Sequence, residues 1–247
     1  MVDESAYFDT FRMRSNEVDN QRRIKIPALI SCMQEAAWSN AEKLGFSSYE
    51  LLKRDITWVI NRMHIEFFTL PTYPHTLTVE TWPSGLDRLF AYRDFRAFNE
   101  SKELIARATS NWLVLNVKTR KLTPVPDDIK EADFSVDRNE MDKVKDKLHF
   151  DVKQTTNEKR ISVSWFDLDW NNHVNNTHYF RWVLDALDED TLACRLLQSL
   201  DITFKAEAVS GEDILSQCYA IGKNSFAHQL VNSESGKVLV VAKSVFK

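Results

Sequence analysis

Apolar residues at Tyr179, Trp182, Val183, Ala186 and Leu187 recur at helical spacing and predict an amphipathic helix over 176–188 that lies on a sheet. A second stripe runs through Ile30, Met33, Ala37, Ala41 and Leu44. Pro27 stands at its tolerated first-turn position and Gly45 at its end, so the pattern predicts a helix over 28–44. The small residues of that stripe suit close nesting against a curved sheet. Elsewhere the apolar positions gather in runs rich in Val, Ile, Phe, Tyr, Trp and Thr. In the first half they predict strands at 7–18, 56–69, 76–82, 88–99 and 104–117, with turns at 71–74, 83–85 and 99–102. In the second half they predict strands at 161–166, 199–207, 213–221, 225–233 and 238–246. Each half reads as one helix and an antiparallel meander, an α+β pattern written twice.

The letters repeat as well as the elements. Ile65-Glu66-Phe67 matches Ile202-Thr203-Phe204, Leu77 matches Ile214, Phe90-Ala91 matches Phe226-Ala227, and Ala106-Arg107 matches Ala242-Lys243. Val18-Asp19-Asn20 lines up with Leu168-Asp169-Trp170. A near-constant spacing over several strands implies duplication and fusion of one helix-on-sheet unit. Between the copies, pairs such as Asp127-Asp128, Lys130-Glu131 and Asp137-Arg138 replace core residues, the composition of a charged, partly helical linker over the surface. The expected organisation is a first unit at 1–126, a linker at 127–160 and a second unit at 161–247.

Composition narrows the function. Hydrophobic residues make up 43% and charged residues 28%, and 15 Phe with 7 Trp supply a sizeable core. A net charge of −4 argues against a general nucleic-acid binder, which needs a basic surface. No apolar run reaches membrane-spanning length, and the acidic start Met1-Val2-Asp3-Glu4-Ser5 lacks the apolar segment of a secretion signal. Cys32, Cys194 and Cys218 are odd in number and widely spaced, which predicts reduced thiols in a cytoplasmic protein rather than a disulfide frame or a zinc site.

The chemistry concentrates just before the second helix. Between Asp167 and Asn176 stand two carboxylates, four carboxamides and the imidazole of His173, a density of short polar groups unsuited to a core. Asn residues there are good N-caps, which places the cluster at a helix N-terminus where free N–H groups favour negative charge. Such an arrangement suits a developing oxyanion. Its plain structural alternative is a capped helix whose polar loop faces water. The equivalent stretch of the first half offers Gln21 and Arg23 in place of Asn171 and His173, so catalysis is expected in the second half only. His173 and His178 are off the spacing of a helix-borne metal pair, and neither a Gly-x-Ser-x-Gly nucleophile turn nor a Gly-rich phosphate loop is present. Neither a metal nor a cofactor is expected.

Asp169, Asn171, His173, Val174, Asn175, Asn176, Tyr179 and Trp182 form the pattern Asp-x-Asn-x-His-Val-Asn-Asn-x-x-Tyr-x-x-Trp. It resembles the acyl-ACP (acyl carrier protein) thioesterases, the plant fatty-acyl thioesterases and their bacterial relatives. The shorter His-Val-Asn-Asn-x-x-Tyr is shared with hotdog-fold acyl-CoA thioesterases at large. The resemblance extends to Glu80-Thr81-Trp82-Pro83 and Arg93-Asp94-Phe95. It implies two tandem hotdog units, each an antiparallel sheet wrapped around a long helix, and hydrolysis of fatty acyl-ACP to free fatty acid.

A thioester needs an aimed water, a base and donors for the tetrahedral oxyanion. Asn171 suits holding water or the carbonyl, His173 suits donation or proton relay, and Asp169 suits orienting either neighbour. The base comes from the resemblance: Glu207, in Phe204-Lys205-Ala206-Glu207-Ala208, falls at the family's catalytic glutamate, on the strand after the helix. Some plant members carry Cys at the next position. Here it is Ala208, which closes a Cys-His covalent route there and leaves water activated by Glu207. The implied partner is ACP, met through basic residues such as Lys118, Arg120 and Lys121 or Lys153, Lys159 and Arg160. A homodimer is a further expected association, with no surface assigned to it. An acyl-CoA thioesterase of the same fold, or a non-catalytic acyl-binding protein, remain the alternatives.

Overall fold

The computed structural model describes residues 6–132, 138–144, 148, 150 and 155–247. The chain forms two units, 1–144 and 145–247. In the first, β1 (Tyr7–Arg12) leads through a 3-10 turn at Ser15–Glu17 into α1 (Ile26–Lys43) and the short α2 (Ser48–Leu52). Then come β2 (Ile56–Phe67), β3 (Thr76–Leu86), β4 (Ala91–Phe98), β5 (Leu104–Asn116), β6 (Lys121–Thr123) and α3 (Asp127–Glu131). The second unit holds β7 (Asn157–Ser162), a 3-10 turn at Trp165–Asp167, α4 (Asn176–Asp185), α5 (Glu189–Cys194), β8 (Leu197–Phe204), β9 (Asp213–Gly222), β10 (Ser225–Asn232) and β11 (Val238–Phe246).

The strands of the two units follow one topology. The first runs β1-β3-β4-β5-β2 with β6 beside β5, the second β7-β9-β10-β11-β8, with antiparallel pairing in each. Helix α1 packs on β1 and β3, and α4 on β9 and β10. Helix α1 buries Leu29, Ile30, Met33, Ala36, Ala37 and Asn40, and α4 buries Tyr179, Phe180, Trp182, Val183 and Leu184. Each fully buried large apolar side chain among them stabilises the fold by roughly 1.5–3 kcal/mol.

Register fixes which residues of the halves are equivalent. Phe11 faces Leu77 as Ile161 faces Ile214, and Val79 faces Ala97 as Ser216 faces Leu230. Phe67 faces Ala106 as Phe204 faces Val240. The early letter matches therefore hold, whereas those placing Phe226 on Phe90 and Ala242 on Ala106 do not. The loops around them differ in length. Gly85 and Tyr92, paired at the β3–β4 hairpin, correspond to Gly222 and Ser225, so the second hairpin is shorter.

Other expectations need correction. The turn predicted at 83–85 is a β-bulge within β3, with Gly85 at φ +144 and the register shifting there, so Pro and Gly bend the strand without ending it. The first strand stops at Arg12, because the capping turn at Ser15–Glu17 follows. The strand expected at 161–166 lies earlier, at Asn157–Ser162, for the same reason. Helix α4 ends at Asp185, short of 188, because Asp188 caps a new helix by accepting the Thr191 N–H at 2.7 Å. Ser216, from β9, donates to the Trp182 carbonyl near that end.

Polar groups enter both interiors. Arg93 reaches toward α1 and donates to Asn40 Oδ1 at 2.7 Å and Thr81 Oγ1 at 3.2 Å; burial lowers its pKa to about 10. In the second unit His228 is fully buried with Nε2 2.8 Å from Ser244 Oγ, and burial lowers its pKa to about 3. Residues 133–137, 145–147, 149 and 151–154 of the charged segment at 127–160 lie outside the described residues. Its described part at 138–144 lies on the face of the first sheet opposite Thr81 and Arg93. Arg138 makes two 2.9 Å contacts with Glu80 and stacks 3.8 Å over Trp82, and the Glu140 N–H donates to Asp94 at 2.8 Å. Charge here is a fastening.

Candidate active site

The polar stretch folds as a tight loop closed by the bridge between Leu168 and Val174. Asp169 organises it. Its Oδ1 accepts the Asn171 N–H at 2.8 Å and the His173 N–H at 3.3 Å, while its own N–H donates to the His173 carbonyl at 2.7 Å. Asn172 takes φ +61, which an Asn tolerates better than most residues. Asp167 fastens the preceding turn by accepting from the Ser164 N–H and hydroxyl, both at 2.8 Å, and faces His178 Nδ1 at 3.3 Å. Burial lowers the His178 pKa, opposed by Asp167.

Asn175 is the N-cap of α4: its Oδ1 accepts the Thr177 N–H at 3.0 Å and its carbonyl accepts the His178 N–H at 3.0 Å. Two of the helix's first N–H groups are thereby used within the protein. Side-chain donors then become the main candidates for an oxyanion. Among the described residues the Asn171 carboxamide has no hydrogen-bond partner.

Glu207 lies three residues beyond the end of β8, not on the strand itself. The Lys205 and Ala206 N–H groups both donate to the Leu239 carbonyl, which turns the chain away from the ladder. The neighbouring Ala208 is then held on both sides. Its N–H donates to the Tyr179 hydroxyl at 2.8 Å, and its carbonyl accepts the Val174 N–H at 3.1 Å. Glu207 Oε2 comes to 3.5 Å from His173 Nε2, with the side chains 37% and 25% exposed, so an imidazole and a carboxylate meet where water reaches both. A sequence reading that counts Tyr179 only as part of an apolar stripe misses its hydroxyl. The signal was available, since a buried Tyr hydroxyl needs a partner.

The loop of the first half repeats the scaffold bond for bond. Asp19 Oδ1 accepts the Gln21 and Arg23 N–H groups, both at 2.9 Å, Val18 bridges Ile24, and Arg22 takes φ +65. The Phe68 and Thr69 N–H groups share the Ile105 carbonyl, and the Ile24 N–H donates to the Pro71 carbonyl. Glu207 therefore corresponds to Leu70, Ala208 to Pro71 and His173 to Arg23. The Arg23 guanidinium folds back onto Asp19 at 2.8 Å.

Two further features lie around the loop, and the first of them is not lined by Asn171, His173 or Glu207. A cavity of about 300 Å³ is lined by Trp165, Phe166, Leu168, Asp169, Trp170 and Asn172, and the three aromatics are exposed. The basic residues expected to meet a carrier are largely engaged: Lys118 with Asp55 at 2.7 Å, Lys159 with Asp185 at 3.8 Å and Arg160 with Asp213 at 3.0 Å. Lys153 lies outside the described residues. Burial raises the thiols of Cys32 and Cys218 to about 12, so neither is a ready thiolate.

Two tandem hotdog units, the second setting Glu207 against His173 where the first has Leu70 and Arg23, define the class of protein by its fold. Residues 4–132 match the acyl-ACP thioesterase N-terminal domain and residues 151–247 its C-terminal domain. The chain belongs to the acyl-ACP thioesterase family. It is 28% identical to the chloroplastic acyl-[acyl-carrier-protein] hydrolase FATB3 of Cuphea viscosissima over 99% of its length, and spans 63% of that protein. It is similar to the structure of the 12:0-ACP thioesterase from Umbellularia californica, with TM-score 0.88 and 26% identity, covering 98% of this chain and 97% of that one. An acyl-ACP thioesterase from Bacteroides thetaiotaomicron has the same fold, with TM-score 0.88, 23% identity and full coverage of both chains.

Proposed function

We propose that this chain hydrolyses the thioester of fatty acyl-ACP to free fatty acid and ACP, with Glu207 as general base for water. The observation that carries the reading is the 3.5 Å approach of Glu207 to His173 beside the loop bearing Asn171. Glu207 takes a proton from water, and the water oxygen bonds to the thioester carbonyl carbon. The carbonyl electron pair moves onto its oxygen, which accepts hydrogen bonds from the Asn171 carboxamide and His173. Collapse breaks the C–S bond, and the departing thiolate recovers the proton from Glu207. Asp169 acts through the loop, by fixing the Asn171 and His173 backbones.

With Ala at 208 and two thiols held protonated, the reading contains no acyl-enzyme. The first unit, without a carboxylate at Leu70, is left to shape the acyl pocket. Free cysteines at 32, 194 and 218 favour a reducing compartment such as the cytoplasm.

Hydrolysis of a panel of acyl-ACPs against the matching acyl-CoAs is the decisive experiment. Preference for ACP-linked chains, with release of free acid, is expected. Equal rates and equal salt dependence on both carriers would move the assignment to acyl-CoA, and no turnover of either would favour an acyl-binding role.

A further inference from the structure

Within the reading of Glu207 as base, we infer that Tyr179 is the positioning residue that sets Glu207 against His173. Its hydroxyl is 2.8 Å from the Ala208 nitrogen and accepts the N–H of the peptide that joins Glu207 to Ala208. Both ends of this bond are buried, with Tyr179 2% exposed and Ala208 0%. The ring is held edge-on by Trp182 and Phe204, with centroids 5.3 and 5.8 Å away. Burial, together with nearby Glu207, Glu212 and Asp169, pushes its phenol above the usual range, so the group stays neutral. Tyr179 lies on α4, the helix that follows the His173 loop directly. One hydrogen bond thus connects the element that places His173 to the segment that places Glu207. The Val174 N–H to Ala208 carbonyl bond completes the brace on the next peptide.

The first half shows that the fold does not require this bond. There the same backbone frame exists, with the Ile24 N–H donating to the Pro71 carbonyl, yet Leu29 occupies the place of Tyr179 and Pro71 that of Ala208. Donor and acceptor are both missing, and so is the carboxylate, because Leu70 stands for Glu207. The polar pair occurs only in the half that must aim a side chain.

The same comparison supplies the test. Tyr179→Phe keeps the packed ring and removes the acceptor. Tyr179→Phe with Ala208→Pro removes the donor as well, copying a residue the first half accommodates. Each is measured for thermal midpoint, kcat and KM on the best acyl-ACP, beside Glu207→Gln. The single variant is expected to melt lower and the double variant to recover the midpoint. Both should keep KM and lose kcat by about a hundredfold, the scale of a misplaced catalytic group. Recovery of kcat together with stability in the double variant would reduce Tyr179 to a structural role and overturn the inference, as would unchanged kcat in Tyr179→Phe. Near-normal turnover by folded Glu207→Gln would instead overturn the base assignment, and the positioning role with it.

Discussion

The loops at 18–25 and 168–175 share their backbone hydrogen bonds and their left-handed residue, and differ in nearly every side chain that could do chemistry. Asp is kept in both, at 19 and 169, and in both its Oδ1 accepts the N–H groups two and four residues on. A residue retained in the half that lacks His173, Asn171 and Glu207 serves the loop shared by both halves. Under the proposed mechanism Asp169 keeps the loop's shape, and the chemistry falls to the three groups the first half replaces with Arg23, Gln21 and Leu70. It also separates two kinds of polarity: bonds that make the loop, present twice, and groups aimed outward, present once.

The sharpest way to break this division is through the aimed groups. Glu207→Ala and His173→Ala are each expected to lower kcat by about a hundred- to ten-thousandfold, the usual contribution of general acid–base catalysis. Arg23→Ala in the other loop should leave kcat unaltered per folded molecule. Comparable losses from both loops, measured on purified folded variants, would end the assignment of catalysis to one half.

Next in size is an asymmetry between the interiors. His228 occupies the position of Phe95, since His228 faces Cys218 as Phe95 faces Thr81. Its folded pKa near 3 lies below the ordinary value of 6.5, so the unfolded chain binds the proton more readily. Stability is therefore full above about pH 6.5 and declines as pH falls toward 3, by on the order of a few kcal/mol at pH 4. Urea unfolding from pH 7 to 4 should show this slope, and His228→Phe should flatten it. An unchanged slope would mean the acid sensitivity comes from other groups.

Smaller effects are expected at the paired aspartates. Asp169→Ala and Asp19→Ala each remove the acceptor for two backbone N–H groups and should cost about 1–3 kcal/mol of stability. Only Asp169→Ala should also lower activity per folded molecule. Smallest of all, replacing Cys32, Cys194 and Cys218 together should leave kcat nearly unchanged, and trapping an acyl group on any residue would refute direct attack by water. Larger side chains at Met33 or Ala37, attractive from sequence as a way to retune acyl length, meet positions only 0% and 7% exposed. Met33→Phe should first be read in a melt, where overpacking costs about 1–3 kcal/mol.

The sequence by itself determined the periodicity of both helices, the strand runs, the duplication and the family, because these follow from local spacing and a dense motif. It also marked Asn171 and His173 by contrast with Gln21 and Arg23. Tertiary structure decided what spacing cannot carry. The strand equivalences depend on hairpin length, so letter matches beyond β3 misled. Glu207 is 34 residues from His173 in sequence and meets it only because the chain leaves β8 at a shared carbonyl and is caught by Tyr179 and Val174. Burial of a hydroxyl, a histidine or an arginine depends on what packs over it from elsewhere in the chain. A pattern of apolar positions says which face turns inward, and only the packed fold says which polar group goes in with it.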